Sequence, residues 1–207
     1  VGVFDRIRQL FAGAEEARLR GLGPGTFSFN TPGGRCEACE GTGVVRVELH
    51  VLPDALVTCE VCEGKRFTAE TLSVTWRGQS IHDLLSLTVT EALRVCEGEP
   101  RVTRGLRVLE EVGLGYLRLG QGLHTLSGGE AQRLKLAGFL AEASKSASAS
   151  RQPLSRKGTL FLFDEPTIGL HAADVERLLA ALVGLVERGH SVVVIEHNME
   201  VVKSADY

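Results

Sequence analysis

The 207-residue sequence has no apolar run of the length needed to cross a bilayer, which excludes a helical membrane span. It also lacks an excess of either charge. The formal net charge is −3, and residues 1–80 hold nine Lys/Arg against ten Asp/Glu, so no global basic field announces a nucleic-acid partner. The opening stretch VGVFDRIRQL has neither a starting Met nor a signal-peptide pattern, and Ser204-Ala205-Asp206-Tyr207 offers no obvious stop. A piece of a longer, cytoplasmic protein is therefore expected. Nor does the sequence contain a GxxxxGK[ST] phosphate loop. What remains is an ordinary globular composition, 43% hydrophobic and 24% charged, in a chain long enough for one or two cores.

Periodicity places the elements. Phe4, Ile7, Leu10 and Phe11 form one stripe at helical spacing. The segment Gly21 to Gly34 reads as a loop with a short strand at Phe27-Ser28-Phe29, and Val44 to Val51 and Leu72 to Trp76 alternate like strands. Residues 80–120 read as helices, one opened by the capping box Thr88-Val89-Thr90-Glu91. A second capping box, Ser127-Gly128-Gly129-Glu130, opens a helix to about Ala143. Lys145 to Lys157 is rich in Ser and Ala and predicts a mobile insert. Leu160-Phe161-Leu162-Phe163 reads as a strand buried on both faces, followed by a helix stripe at Val175, Leu178, Leu179, Leu182, Val183 and Val186. A second buried strand, Ser191 to Ile195, completes a βαβ unit with a parallel sheet. The expected divisions are 1–34, a cysteine module at 35–78, a helical part at 79–143, the insert at 144–157 and a strand-bearing core at 158–207.

The cysteines are unevenly placed. Cys36-Glu37-Ala38-Cys39 and Cys59-Glu60-Val61-Cys62 form two CxxC pairs, the spacing that closes a tetrahedral S4 site around one Zn²⁺. Glycines at 41, 43 and 64 stand where knuckle backbones need tight turns. Four thiolates leave no open position for water, so such a site is structural. Cys36 to Gly43 also spells CxxCxGxG, the repeat of DnaJ-type chaperone modules, but the second copy, CEVCEGKR, is incomplete and supports one metal only. Cys96 stands alone in a predicted helix and reads as a buried structural thiol.

A second constellation follows. In Leu126-Ser127-Gly128-Gly129-Glu130-Ala131-Gln132-Arg133, Ser127 and two glycines open a helix whose free N–H groups favour an anion. Asp164 and Glu165 end a strand, where α/β ligand sites form. Asp164 suits a Mg²⁺ ligand through water, and Glu165 suits the group that polarises an attacking water. His197 follows the next strand and can reach a γ-phosphate from a similar edge.

Signature, acidic strand end and later histidine, in that order, resemble the ABC ATPase set. More narrowly, the chain resembles the C-terminal half of the UvrA family of ABC excinuclease proteins. That likeness is carried by Phe4-Asp5-Arg6-Ile7-Arg8, Phe27 to Asn30, Gly33 to Glu37, Leu52-Pro53-Asp54, Cys59 to Cys62, Gly64-Lys65-Arg66, Leu126 to Ala137, Asp164 to Thr167 and Gly169-Leu170-His171. It implies an α/β, ABC-type (P-loop NTPase-like) ATPase part with a parallel sheet, plus a small zinc-binding module. It further implies ATP, Mg²⁺ and Zn²⁺ as cofactors, damaged duplex DNA and a UvrB-like protein as partners, a homodimer, and no membrane. Asp164 would be the Walker B aspartate, Glu165 the catalytic glutamate, Ser127, Gly128, Gly129 and Glu130 the signature, and His197 the switch histidine. Arg35, Arg46, Lys65 and Arg66 flank the cysteines and could meet DNA phosphates. The absent phosphate loop is expected upstream of Val1. Two departures, the insert at 144–157 and Ile168 where Thr is common, leave open the main repair protein of the family and a divergent UvrA-like paralogue. An ATPase of transporter type would share the signature and carboxylates. A DnaJ-like module binding unfolded chains would account for residues 35–66 alone.

Overall fold

The computed structural model describes residues 2–48, 55–149 and 158–206, with 142–149 as backbone only. The chain divides into two compact units, Gly2–Leu87 and Thr88–Tyr207.

The first unit runs α1 (Val3–Ala12), α2 (Glu15–Leu19), a 3₁₀ turn (Pro24–Phe27), β1 (Val44–Val47), β2 (Ala55–Thr58), α3 (Ala69–Ser73), β3 (Thr75–Trp76), β4 (Gln79–Ser80) and α4 (Ile81–Ser86). Helix α1 buries Val3, Ile7 and Phe11, and Phe11 packs against Phe27 and Trp76 with ring centroids 5.5 and 6.4 Å away. Two expected strands are corrected. Phe27 ends a 3₁₀ turn instead, because Pro24 pre-sets the φ of its first residue. Within 72–76 only Thr75 and Trp76 are extended. The Thr68 hydroxyl accepts from the N–H of Thr71 and caps a helical turn over 69–73. β3 then returns to β4 through Arg77 and Gly78, both at positive φ, the backbone of a tight hairpin turn. β1 pairs antiparallel with β2, Val44 opposite Thr58. The strand expected to Val51 stops before Glu48, and 49–51 lie outside the described residues.

The second unit runs α5 (Val89–Val95), α6 (Pro100–Glu111), a 3₁₀ turn (Leu123–Thr125), α7 (Gly128–Ala149), β5 (Leu160–Asp164), α8 (Ala172–Glu187), β6 (Ser191–Ile195) and α9 (Met199–Lys203). The capping box at Thr88–Glu91 forms as expected. Cys96 is fully buried at the end of α5. Helix α7 continues to Ala149, past the end expected near Ala143, and 150–157 of the expected insert lie outside the described residues. β5 and β6 pair in parallel from Leu160↔Ser191 to Asp164↔Ile195, with α8 as the crossover.

The core of this unit gathers Val108 of α6, Leu114 just beyond it, Leu136 and Leu140 of α7, Phe163 of β5, and Leu178 and Leu185 of α8. Here the expectation of strands buried on both faces is corrected. Phe163 is buried, yet Leu160 and Leu162 are 60% and 71% exposed, and Val193 and Ile195 are 49% and 61% exposed. A continuous apolar run signals two apolar faces, and among the described residues only one of them is covered. On α8 likewise Leu185 is buried, while Val183 and Val186 are exposed.

Candidate functional site

The cysteine site is built from two copies of one backbone. Cys36-Glu37-Ala38-Cys39-Glu40-Gly41 and Cys59-Glu60-Val61-Cys62-Glu63-Gly64 share φ values of 50° at the second Glu and 80° at the Gly. Gly41 admits no side chain, since a Cβ there would stand 2.0 Å from the Phe29 carbonyl oxygen. The β1–β2 ladder is extended by the Cys59 N–H donating to the Gly43 carbonyl (3.0 Å), which sets one knuckle against the other. All four Sγ atoms lie within 4.8 Å of one another, with Cys36–Cys59 at 4.0 Å and Cys39–Cys62 at 3.6 Å. Tetrahedral zinc with Zn–S near 2.3 Å needs sulfur edges of roughly 3.8 Å, so this donor set fits the ion. All four thiols are buried. Burial pushes Cys62 up to about 12. Burial also opposes ionisation of Cys39, but the N–H groups of Gly43 and Gly41 and the Cys62 thiol outweigh it and draw Cys39 down to about 7.

The basic residues beside the knuckles are already engaged. The Arg35 guanidinium donates to Glu37 (3.3 Å), Lys65 pairs with Glu63 (2.7 Å), and the Arg66 guanidinium lies over the Phe29 ring at 5.5 Å. Arg46 is exposed on β1.

In the second unit, β5 delivers Asp164 to its C-terminal end, and the Asp164 N–H donates to Gln132 Oε1 of α7 (3.3 Å). Glu165 follows in the left-handed region at φ 46°, a strained conformation for a non-glycine residue. Its N–H donates to the Ile195 carbonyl at the end of β6 (2.8 Å). His197 Nε2 then stands 3.3 Å from Glu165 Oε1, so the structure brings this sequence-predicted pair together at an open edge. The capping box read at Ser127–Glu130 is also formed. The Glu130 carboxylate accepts from the Ser127 N–H (2.7 Å), and the Ser127 hydroxyl accepts from the Glu130 N–H (3.3 Å). Gly128 and Gly129 open α7, and a Cβ on Gly129 would stand 3.7 Å from the carbonyl oxygens of Glu165 and Ile168.

Four residues of this edge carry no role in the sequence reading. Glu196 accepts from the Thr167 N–H (2.8 Å) and hydroxyl, and from the N–H groups of His197 (2.9 Å) and Asn198 (3.1 Å). Burial works against the Glu196 carboxylate, yet these donors hold it below the usual range. The Tyr116 hydroxyl donates to Glu130 (2.6 Å), the largest cause of a lowered Glu130 carboxyl. Gln132 and Arg133 reach the acidic strand end from α7. The available signal for these two was their position: Arg133 lies one helical turn past Gly129 and so shares its face.

No family model matches the chain. UvrABC system protein A of Aquifex aeolicus (strain VF5) is 54% identical over 205 residues, covering 99% of this chain and 21% of that relative. The protein of the same name from Bacillus subtilis (strain 168) is 52% identical over 206 residues, 100% of this chain and 20% of the relative. The crystal structure of UvrA2 from Deinococcus radiodurans superposes with a TM-score of 0.84 at 49% identity, covering 99% of this chain and 24% of that one. The chain thus spans about a fifth of the length of the curated relatives it matches. The expected class, α/β of ABC type with a parallel sheet and a separate four-cysteine unit, is the one observed. With half its residues identical from end to end, and its backbone following that of UvrA2, the chain is similar along its whole length to one stretch of the UvrA proteins.

Proposed function

We propose that this chain is part of a DNA-damage-recognising ABC ATPase of nucleotide excision repair, working within a protein of its relatives' length. The observation that carries the reading is the Asp164–Glu165 strand end with His197 within 3.3 Å of Glu165, on the same unit as a capped Ser127–Glu130 helix start. In this reading Asp164 holds Mg²⁺ through water, Glu165 polarises the attacking water, and His197 reaches the γ-phosphate. Ser127, Gly128, Gly129 and Glu130 face a nucleotide whose other contacts come from another half. The chain has no phosphate loop of its own, so the 207 residues alone are expected to show no turnover.

Cys36, Cys39, Cys59 and Cys62 hold one structural Zn²⁺ that fixes the module beside the DNA. Arg35, Arg46, Lys65 and Arg66 meet phosphates by exchanging their present partners. A UvrB-like protein and a second copy are the expected partners. Among the described residues no helix is long and apolar enough to cross a membrane.

In the protein of full family length, Glu165→Gln should keep nucleotide binding, because the amide is nearly isosteric, and slow hydrolysis by orders of magnitude. Ser127→Arg should instead block closure on the opposite nucleotide. Steady-state ATPase and nucleotide-binding assays check both, and a Glu165→Gln protein hydrolysing at the normal rate overturns the assignment.

A further inference from the structure

Arg133 is a buried charge whose hydrogen-bond partners among the described residues are all neutral, the Glu130 carboxylate standing one bond further on behind Tyr116. It is 1% exposed, and its guanidinium donates to the Pro166 carbonyl (2.6 Å), the Ile168 carbonyl (3.4 Å) and the Tyr116 hydroxyl (3.5 Å), while its Nε has no partner. Taking a guanidinium out of water for neutral acceptors is costly, and an apolar side chain of the same length would fill the space more cheaply. Stability alone therefore does not explain it. What it touches does. Pro166 and Ile168 belong to the loop that begins with Glu165, and Tyr116 in turn donates to Glu130 of the signature end. One continuous series of hydrogen bonds thus runs from Ser127 through Glu130, Tyr116 and Arg133 to the Glu165 loop. The approach is close at Gly129, where a Cβ would press within 3.3 Å of Arg133 Nη1. On its far side the same loop is tied by Thr167 to Glu196.

We propose that Tyr116 and Arg133 are positioning residues that lock the signature end of α7 to the loop carrying Glu165, so that docking of a nucleotide at the signature is felt at the other nucleotide's carboxylate. The proposal rests on the reading that the signature and Glu165 serve different nucleotides. Coupling of this kind needs a stiff, contiguous connection with few soft torsions, and a guanidinium fixed by two carbonyls and a phenol provides one.

Tyr116→Phe tests it, because the ring is half exposed and keeps its packing while the bridge to Glu130 and Arg133 is lost. In the 207-residue chain, amide exchange at Ile168 and Leu170, whose N–H groups bond within the loop, should accelerate roughly tenfold. Exchange at Leu182, in the core of α8, should not change. In the protein of full family length, kcat should fall roughly tenfold with the nucleotide KM within about twofold, and Arg133→Lys should not reproduce the wild type. Unchanged loop exchange and unchanged kcat in Tyr116→Phe would overturn the proposal, and so would acceleration spread equally over α8, the mark of a purely structural tyrosine. Normal turnover by Glu165→Gln would sink the ATPase reading instead, and the exchange pattern would still decide whether the lock exists.

Discussion

In Gly2–Leu87 the candidate ligands are themselves interior: Cys36, Cys39, Cys59 and Cys62 are 2–7% exposed. In Thr88–Tyr207 the candidate catalytic groups stand at a rim, with the His197 side chain 87% and the Glu165 side chain 38% exposed. A structural metal gains from a closed, dehydrated shell that the knuckles supply unaided, whereas nucleotide chemistry needs a face that other groups can approach. The same contrast appears in packing. The cysteine unit wraps its site in backbone, while the second unit leaves one apolar strand face bare among the described residues.

The largest expected effect would break this contrast outright. Cys59→Ser should abolish the single zinc equivalent, and because structural zinc contributes on the order of 10 kcal/mol to folding, residues 2–87 should lose protection in hydrogen exchange. Residues 88–206 should keep theirs. Two equivalents of metal in the wild type, or collapse of both units together, would show that the division is wrong.

Next in size is a pair on opposite faces of β5. Phe163→Ala should cost about 3–5 kcal/mol, and Leu162→Ser under about 1 kcal/mol, in chemical denaturation of the 207-residue chain. Equal losses would mean that the bare face is covered in solution. A pH titration sharpens the rim further. Glu196 is held below the usual carboxyl range by Thr167, His197 and Asn198, so its contribution is complete above the unfolded value and is lost as pH falls through the folded one. Thermal melts should show the second unit weakening on acidification below the ordinary glutamate range, with a shallower decline in Glu196→Gln.

The smallest effect concerns DNA. In the full-length protein, neutralising Lys65 and Arg66 together should weaken binding and lower the salt slope by about one for each phosphate left without its cation. An unchanged slope would leave Lys65 paired with Glu63, and Arg66 over Phe29, as ordinary surface charges with no part in binding.

Local signals were the ones legible in the sequence. Both capping boxes formed because hydroxyl and carboxylate stand three residues apart, and the CxxC pairs met because each knuckle is specified by its own Gly and Cys spacing. The order of β5, α8 and β6 followed from apolar period alone. What failed depended on competition or distance. Thr68 drew Leu72 and Ser73, which alternation alone read as the start of a strand, into a helical turn over 69–73, and the two-sided apolar pattern of β5 cannot tell which face is covered. Tyr116, Arg133 and the tie from Glu196 to Thr167 stayed hidden because these partners lie between 14 and 35 residues apart, where no spacing rule reaches.

The β1–β2 hairpin carries one more consequence. A ladder usually finds its alignment by hiding one face, yet Val45, Val47, Leu56 and Val57 are all exposed, so side-chain burial says little about which residues should pair. Slipping by one position would move Cys59 about 3.3 Å along the strand, well beyond what a bond near 2.3 Å tolerates. An ion held there would therefore act as a proofreader: it would reward the single alignment in which Val44 meets Thr58 and leave every other one uncompensated. Information that the strands do not hold in their own sequence is held by four sulfur atoms at their base.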